Sequence, residues 1–307
     1  MVGKGKGKRI PVPCPKTDWP RIYAIYGIDH WHTLAVLLLH ASLFSLLSLL
    51  FLLFFDPVAT LLQSLLSSSP TAARSLAGFA GAFTALSAVL LFLAAGNFFY
   101  SAAALPHEVA QRMVGAVGDW SAVRNALDVG CGRGILLNAV ATQLKKSGSS
   151  GRVVGLAQSK RNAMATLRTA KMEGVQEYVT CREGDARSLP FPDDYFDVVV
   201  SAVFLQPTKA TFPSKQHSRA GSAENWAERA RMLGEIVRVL KPGGVAVVWD
   251  FARSSWIVKG LQELKMADIR GSEQVTAFMT GTHVVSFTKP AGHAVLSLPE
   301  VRLDWGC

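Results

Sequence analysis

Asp128 closes a short apolar run, and three glycines follow it on alternate positions, Gly130, Gly132 and Gly134. A carboxylate there can hold a cation or a hydrogen-bond donor, and glycines in that rhythm clear side chains from the turn beside it. An apolar stretch with helical spacing occupies residues 135–144. The pattern predicts a strand, a tight glycine turn and a helix N-terminus, an arrangement that lets a nucleoside ligand lie against bare backbone.

Other reactive side chains are scattered. The four cysteines, Cys14, Cys131, Cys181 and Cys307, have no metal-ligand spacing and read as reduced thiols in a cytosolic domain, without a disulfide framework. Residues 204–221 bring Lys209, Lys215, His217 and Arg219 together with Phe212 and Pro213, a basic and partly aromatic segment suited to an anionic or lipid-like partner or to a solvated loop. Neither His217 nor Asp250, which also reads as the cap of a following helix, is assigned a catalytic role.

The elements that must position these residues alternate. Strands are expected at 153–156, 178–181, 196–201 and 245–249, with two more within 267–273 and 276–288. Helices are expected at 161–173, 226–240 and 257–266, the first with Ala163, Met164, Leu167 and Ala170 on its apolar face. The strand at 196–201 is almost wholly apolar, as in the centre of a parallel sheet. Such alternation predicts an α/β fold, a doubly wound, mostly parallel sheet that binds ligands at the carboxyl ends of its strands.

Ahead of this domain lie two uncharged stretches of bilayer-spanning length, at about 34–55 and 76–100. Asp56-Pro57 and Ser67-Ser68-Ser69-Pro70 separate them as turn signals, and the pairs Gly78/Ala82 and Gly81/Ala85 offer small-residue faces for close helix packing. Six basic residues, Lys4, Lys6, Lys8, Arg9, Lys16 and Arg21, precede the first span, whereas Arg74 alone sits in the loop, so both ends are expected in the cytosol. Trp19, Tyr23, Tyr26, Trp31, Phe98, Phe99 and Tyr100 are placed as interfacial anchors. His40, inside the first span, reads as a neutral imidazole bonded to a neighbouring helix or a serine. The chain therefore divides into a basic cytosolic segment 1–32, a transmembrane hairpin 33–104, an α/β domain 105–290 and a tail 291–307.

Composition agrees. Half of the 307 residues are hydrophobic, 18% are charged, and mean hydropathy is +0.25, values that lean toward a membrane protein. The net charge of +10 is spread over both halves, and no basic run is interleaved with aromatics, so a nucleic-acid partner is not expected. A basic face turned toward anionic lipid accounts for the surplus.

The Gly-x-Gly-x-Gly spacing after an acidic residue resembles the class I S-adenosylmethionine-dependent methyltransferases, with the type 11 group as the nearest subdivision. Four blocks carry the resemblance over about 105–290: residues 127–134 (Leu-Asp-Val-Gly-Cys-Gly-Arg-Gly), Glu183-Gly184-Asp185-Ala186 with Leu189-Pro190-Phe191, residues 196–201, and residues 239–244. With its hairpin the chain resembles a plant membrane-anchored group of that family. The resemblance implies a seven-stranded Rossmann-like sheet and S-adenosyl-L-methionine as cofactor. It implies a site of Asp128 on the methionine amino group and Gly130, Cys131, Gly132 and Gly134 as the loop. Asp185 would accept from the adenine amino group, Ala186 would face the ring, and Ser201 and Ala202 would line the methionine side. One departure stands out. The acidic residue that closes the second strand in this family, where it binds the ribose hydroxyls, is Ala157 here, with Gln158 as the substitute.

The resulting expectation is a membrane-anchored methyltransferase of the endoplasmic reticulum or endomembranes, acting on a small-molecule or lipid-like acceptor, with no metal and no named catalytic residue. A scaffold that has lost turnover is the alternative, supported by Ala157. A nicotinamide oxidoreductase is disfavoured by the glycine spacing and by the same alanine.

Overall fold

The computed structural model describes residues 19–27, 31–66, 69–202, 219–250, 255–271, 275–277 and 280–292. Residues 203–218, which hold most of the basic segment considered above, lie outside them.

The chain begins with a short helix α1 (Trp19–Tyr26) and two long apolar ones, α2 (Trp31–Leu53) and α4 (Pro70–Phe99). Of the turn signals, Ser67 and Ser68 lie outside the described residues. Between the long helices Asp56-Pro57 does not make a turn but lies at the start of a further helix, α3 (Phe55–Leu66). Pro57 falls in its first turn, where the missing N–H costs nothing, and Asp56 sits at the favourable end of the helix dipole. Ser69 caps α4 by accepting from the Ala72 N–H at 3.4 Å, and Pro70 follows in the first turn.

Ala41 of α2 and Ala73, Ala77, Thr84 and Ala88 of α4 are buried in the helical hairpin, where Gly81 of α4 packs against Phe51 of α2. Of the two small-residue faces expected, only the one through Gly81 meets α2; Gly78 has no atom within 4 Å of its would-be side chain. Helical rotation decides this, because the three residues between the two faces turn one from the other by about 60°. The remaining surface is apolar: Leu39, Leu46, Leu52 and Phe79 are each at least 64% exposed. Both α2 and the continuous helix Pro70–Gly115 are long and apolar enough to cross a membrane. His40 bonds back to its own helix, its Nδ1 lying 2.7 Å from the Val36 carbonyl oxygen, rather than to a neighbour.

Pro106 does not end that rod. Its missing N–H is accommodated by a wide π turn at Tyr100–Ala104, after which α5 (Leu105–Gly115) continues into the α/β domain and buries Leu105, Val109 and Met113 in its core.

The domain alternates β1 (Asn125–Val129), α6 (Ile135–Lys146), β2 (Arg152–Ala157), α7 (Lys160–Glu173), β3 (Val179–Glu183), β4 (Phe196–Ser201), α8 (Arg219–Val239), β5 (Leu240–Asp250) and α9 (Ser255–Glu263). It closes with β6 (Ala267–Gly271), β7 (Val275–Ala277) and β8 (Thr280–Thr288). Strand order is β3-β2-β1-β4-β5-β8-β6, with β8 antiparallel to both its neighbours and the small β7 paired to its first residues. This seven-strand path is the doubly wound, mostly parallel sheet expected. One core lies under α5, α6 and α7, and a second under α8 and α9.

Two of the sequence blocks turn out to be partners. Asp197 accepts from the Arg124 and Asn125 N–H groups at 2.9 and 2.8 Å and from Lys241 Nζ at 2.6 Å, tying β1, β4 and the start of β5 together. These bonds hold its carboxyl below the usual range against the opposing effect of burial.

Candidate functional site

Pairing within the sheet brings the strand ends level. Val129 is opposite Leu156 of β2 and Ser201 of β4, and Ala157 is opposite Glu183 of β3. The loops after these four strands therefore emerge at one edge. The chain winds outward from β1 to β3 and then crosses back to β4, so the edge contains the point where the winding reverses, the place such sheets bind ligands.

The glycine turn occupies that point. Gly130, Gly132 and Gly134 have φ of +82°, +51° and +86°, conformations that side chains resist. The Gly130 and Cys131 N–H groups both donate to the Leu156 carbonyl at 3.1 Å, and Gly134 N–H donates to Cys131 O at 2.7 Å. Gly132 and Gly134 do different work. A Cβ at Gly132 would meet only Gly130 O at 3.9 Å, so that side of the turn is open. A Cβ at Gly134 would come within 2.9 Å of Thr166 Cγ2 and 3.0 Å of Thr169 Oγ1, so this glycine lets α6 seat on α7.

Thr166 and Thr169 were invisible as site residues. Both are buried on α7; Thr166 donates to Gly132 O at 2.8 Å and Thr169 to Arg133 O at 3.0 Å, holding the back of the turn. Of the expected apolar face of α7, Ala163, Leu167 and Ala170 pack into the core, while Met164 is 68% exposed and the two threonines stand inside. Hydrophobic spacing misses this because hydroxyls can be buried wherever loop carbonyls accept from them. The faint signal is a pair of threonines three apart beside Ala170.

Asp128 is fully buried on the face of β1 that looks toward the first turn of α6. Neither carboxyl oxygen meets a hydrogen-bond partner among the described residues. Burial drives its pKa well up, and the neighbouring Cys131 adds to this. An unpartnered buried carboxylate is costly, so the group either stays protonated or awaits a cation.

The other expected contacts are placed less simply. The Cys131 thiol turns into the core, with Thr166 Oγ1 at 3.8 Å and a Cβ at Gly155 excluded by it at 3.0 Å. Its bond toward Cys181, then burial, pushes the thiol well above the usual range. Ser201 is buried and donates to Val129 O at 3.1 Å, clasping β1 to β4. Ala157 closes β2 as expected and is 1% exposed, while Gln158 is exposed. Asp185 takes three bonds from the Arg187 guanidinium at 2.7–3.0 Å and one from the Arg187 N–H at 2.9 Å, which hold its carboxyl low; Ala186 beside it is half-buried. Arg187 also reaches Glu228 of α8 at 3.2 Å.

These residues fit one end of a nucleoside sulfonium well. The open glycine turn and the orphaned Asp128 suit an amino-acid ammonium, and the ribose end lacks its carboxylate. Residues 127–248 match the family described as Methyltransferase domain. That stretch is a methyltransferase domain. Among curated proteins, this methyltransferase domain is similar to the chloroplastic 2-phytyl-1,4-beta-naphthoquinone methyltransferase of Arabidopsis thaliana, 30% identical over 48% of this chain and 51% of that protein. It is also similar to the demethylmenaquinone methyltransferase of Lactobacillus johnsonii, 34% identical over 39% of this chain and 40% of that protein. The chain thus spans about half or less of the curated relatives it matches. A solved SAM-dependent methyltransferase from Aquifex aeolicus aligns at a TM-score of 0.40 and 18% identity, over 60% of this chain and 89% of that one.

Proposed function

We propose that this protein is a membrane-anchored methyltransferase that uses S-adenosyl-L-methionine to methylate a small, lipophilic acceptor. The observation that carries the reading is the buried, partnerless Asp128 beneath an open glycine turn at the reversal point of the sheet. Asp128 would receive the donor's ammonium, Gly130 and Gly132 would admit its amino-acid end, and Asp185 and Ala186 would face its base. Bound there, the donor supplies an electrophilic methyl on a positive sulfur. The chain's task is then to hold the acceptor atom in line behind that methyl, which is catalysis by positioning and needs no dedicated base.

The acceptor class rests on two supports. The similar proteins are named for phytylated or menaquinone-type quinones, acceptors with long apolar tails. The length and apolar surface of α2 and α4 support a seat in lipid, where such tails reside, and the basic flank of the first span favours a domain on the cytosolic side.

A second reading is favoured by specific geometry. Ala157 supplies no ribose carboxylate, Asp185 is already engaged by Arg187, and the Ser201 hydroxyl is engaged by Val129. A scaffold that keeps the fold without turnover would have these features. Calorimetric titration of the full chain in nanodiscs with S-adenosylhomocysteine separates the two. Binding is expected, and Asp128→Asn is expected to weaken it tenfold or more, in line with the loss of about 1.5–3 kcal/mol for a hydrogen bond to a charged group. Ala157→Asp is expected to tighten binding by about the same factor while lowering the stability of the free protein, because its carboxylate is then buried without a partner. Failure of folded wild-type protein to bind, with recovery in Ala157→Asp, would establish the scaffold.

A further inference from the structure

Helix α1 was expected to belong to a basic segment ahead of the membrane, with Tyr26 among the interfacial aromatics. The structure puts Tyr26 elsewhere. Its ring is 8% exposed, seated between α6 and α7 directly behind the glycine turn. Asn138 Nδ2 donates to the Tyr26 hydroxyl at 2.9 Å and also to Thr169 Oγ1 at 3.2 Å. Thr169 in turn donates to the Arg133 carbonyl. The Asn138 backbone N–H completes the cluster by donating to Gly134 O at 2.8 Å.

A second connection runs the other way. The side chain of Arg133, which stands between Gly132 and Gly134, donates from Nη1 to the Tyr26 carbonyl at the C-terminal end of α1. A cation at that end of a helix is favoured by the dipole as well as by the unpaired carbonyls. At its outer edge α1 is held by Arg21 near Glu173 of α7, 3.8 Å apart, and by Tyr23 against Phe99 of α4, with ring centroids 5.6 Å apart. Burial, above all, raises the Tyr26 phenol, so it remains an un-ionised donor and acceptor across the physiological range.

We propose that α1 is a latch on the donor-binding loop, with Tyr26 and Arg133 as positioning residues that hold the glycine turn in its ligand-ready shape. The proposal rests on the reading of that turn as the donor site. Tyr26 stands only five residues ahead of α2. Insertion of α2 in a bilayer therefore keeps α1 beside the domain, and donor affinity becomes a property of the anchored protein rather than of the α/β domain alone. A turn carrying three positive-φ glycines has little intrinsic preference for one conformation. Contacts from behind must select it, and α1 supplies two of them.

The test uses the full chain in nanodiscs, comparing wild type with Tyr26→Phe and Tyr26→Ala. Two readouts are taken: hydrogen exchange of peptides covering residues 130–138, and calorimetric affinity for S-adenosylhomocysteine. Tyr26→Phe keeps the ring in its slot and loses one hydrogen bond, so affinity is expected to fall about two- to tenfold. Tyr26→Ala is expected to weaken binding more than tenfold and to speed exchange in 130–138 about tenfold, with β4 and β5 as protected as in wild type. Exchange that is unchanged in the turn overturns the latch. So does an even loss of protection across β1, β4 and β5, which marks Tyr26 as a stability residue only, and so does faster turn exchange with unaltered affinity. If the wild type binds no S-adenosylhomocysteine while turn exchange still responds to Tyr26→Ala, the latch stands and the donor reading fails.

Discussion

Asp128 has a signature that separates a binding carboxylate from a structural one. Its folded pKa lies above the unfolded value of about 3.9, so between the two the native state holds a proton that the unfolded chain has released. Its contribution to stability is complete below the unfolded value and is lost as pH rises toward the folded one. Asp185, Asp197 and Glu235 shift the other way, and their contributions are lost only on acidification. Above about pH 5 these three are spent, and Asp128 gives a falling contribution against the rising one of His107, whose pKa burial lowers; comparison with an Asp128 variant isolates the first. Urea unfolding of free protein should show Asp128→Asn ahead of wild type by a margin that widens from pH 5 to pH 8, although the same variant loses donor affinity. A constant margin would mean that the carboxyl is already ionised and compensated. A residue that lowers stability while serving binding is common at functional sites.

Among the elements, α7 carries the least expected duty. It flanks the site at the end of β2 and also forms the back wall of the glycine turn. Thr166→Val keeps the volume and removes the hydroxyl that serves Gly132 O, an exposed position where water can take its place. The expected loss is about 0.5–1.5 kcal/mol in chemical unfolding. Donor affinity should fall with it, since the turn loses its rear support. Gly134→Ala acts on the same contact from the other side. It combines positive φ with a 2.9 Å clash, and at least about 1–3 kcal/mol of strain is expected. Retention of full affinity by both variants would mean that the turn holds its own shape.

For the molecule as a whole, the decisive feature is the rod from Pro70 to Gly115, which is long and apolar enough at its start to cross a membrane and is part of the α/β core at its end. A flexible tether between the hairpin and the domain is thereby excluded, and motion of the hairpin reaches the core through Leu105, Val109 and Met113. The hairpin itself is held by close approach of small residues rather than by charge. The Arg74–Asp56 pair at 3.1 Å is well exposed on both sides, and such pairs contribute little. Gly81→Leu should therefore push α2 away, because even a Cβ there sits 3.2 Å from Phe51 Cβ, and overpacking of this kind costs about 1–3 kcal/mol. Thermal unfolding in nanodiscs should record a lower midpoint, and adding Phe51→Ala should restore much of it. Independent, additive effects of the two substitutions would refute the contact.

Local sequence carried much of this. The glycine turn, the alternation of strands and helices, and the two apolar stretches are each written in consecutive residues, because backbone conformation and hydrophobic period are short-range properties. The closing of β2 at Ala157 came instead from the family resemblance, since the local pattern gave only 153–156. Tertiary structure alone decided what those residues face. Met164 turned out and Thr166 in, Gly81 rather than Gly78 met α2, and Asp56-Pro57 became the start of α3. Pro106 was absorbed by a π turn. Tyr26 left the interface for a slot beside Asn138, more than a hundred residues away in sequence. Contacts of that separation depend on how whole elements rotate and dock, and no window of neighbouring residues encodes that rotation.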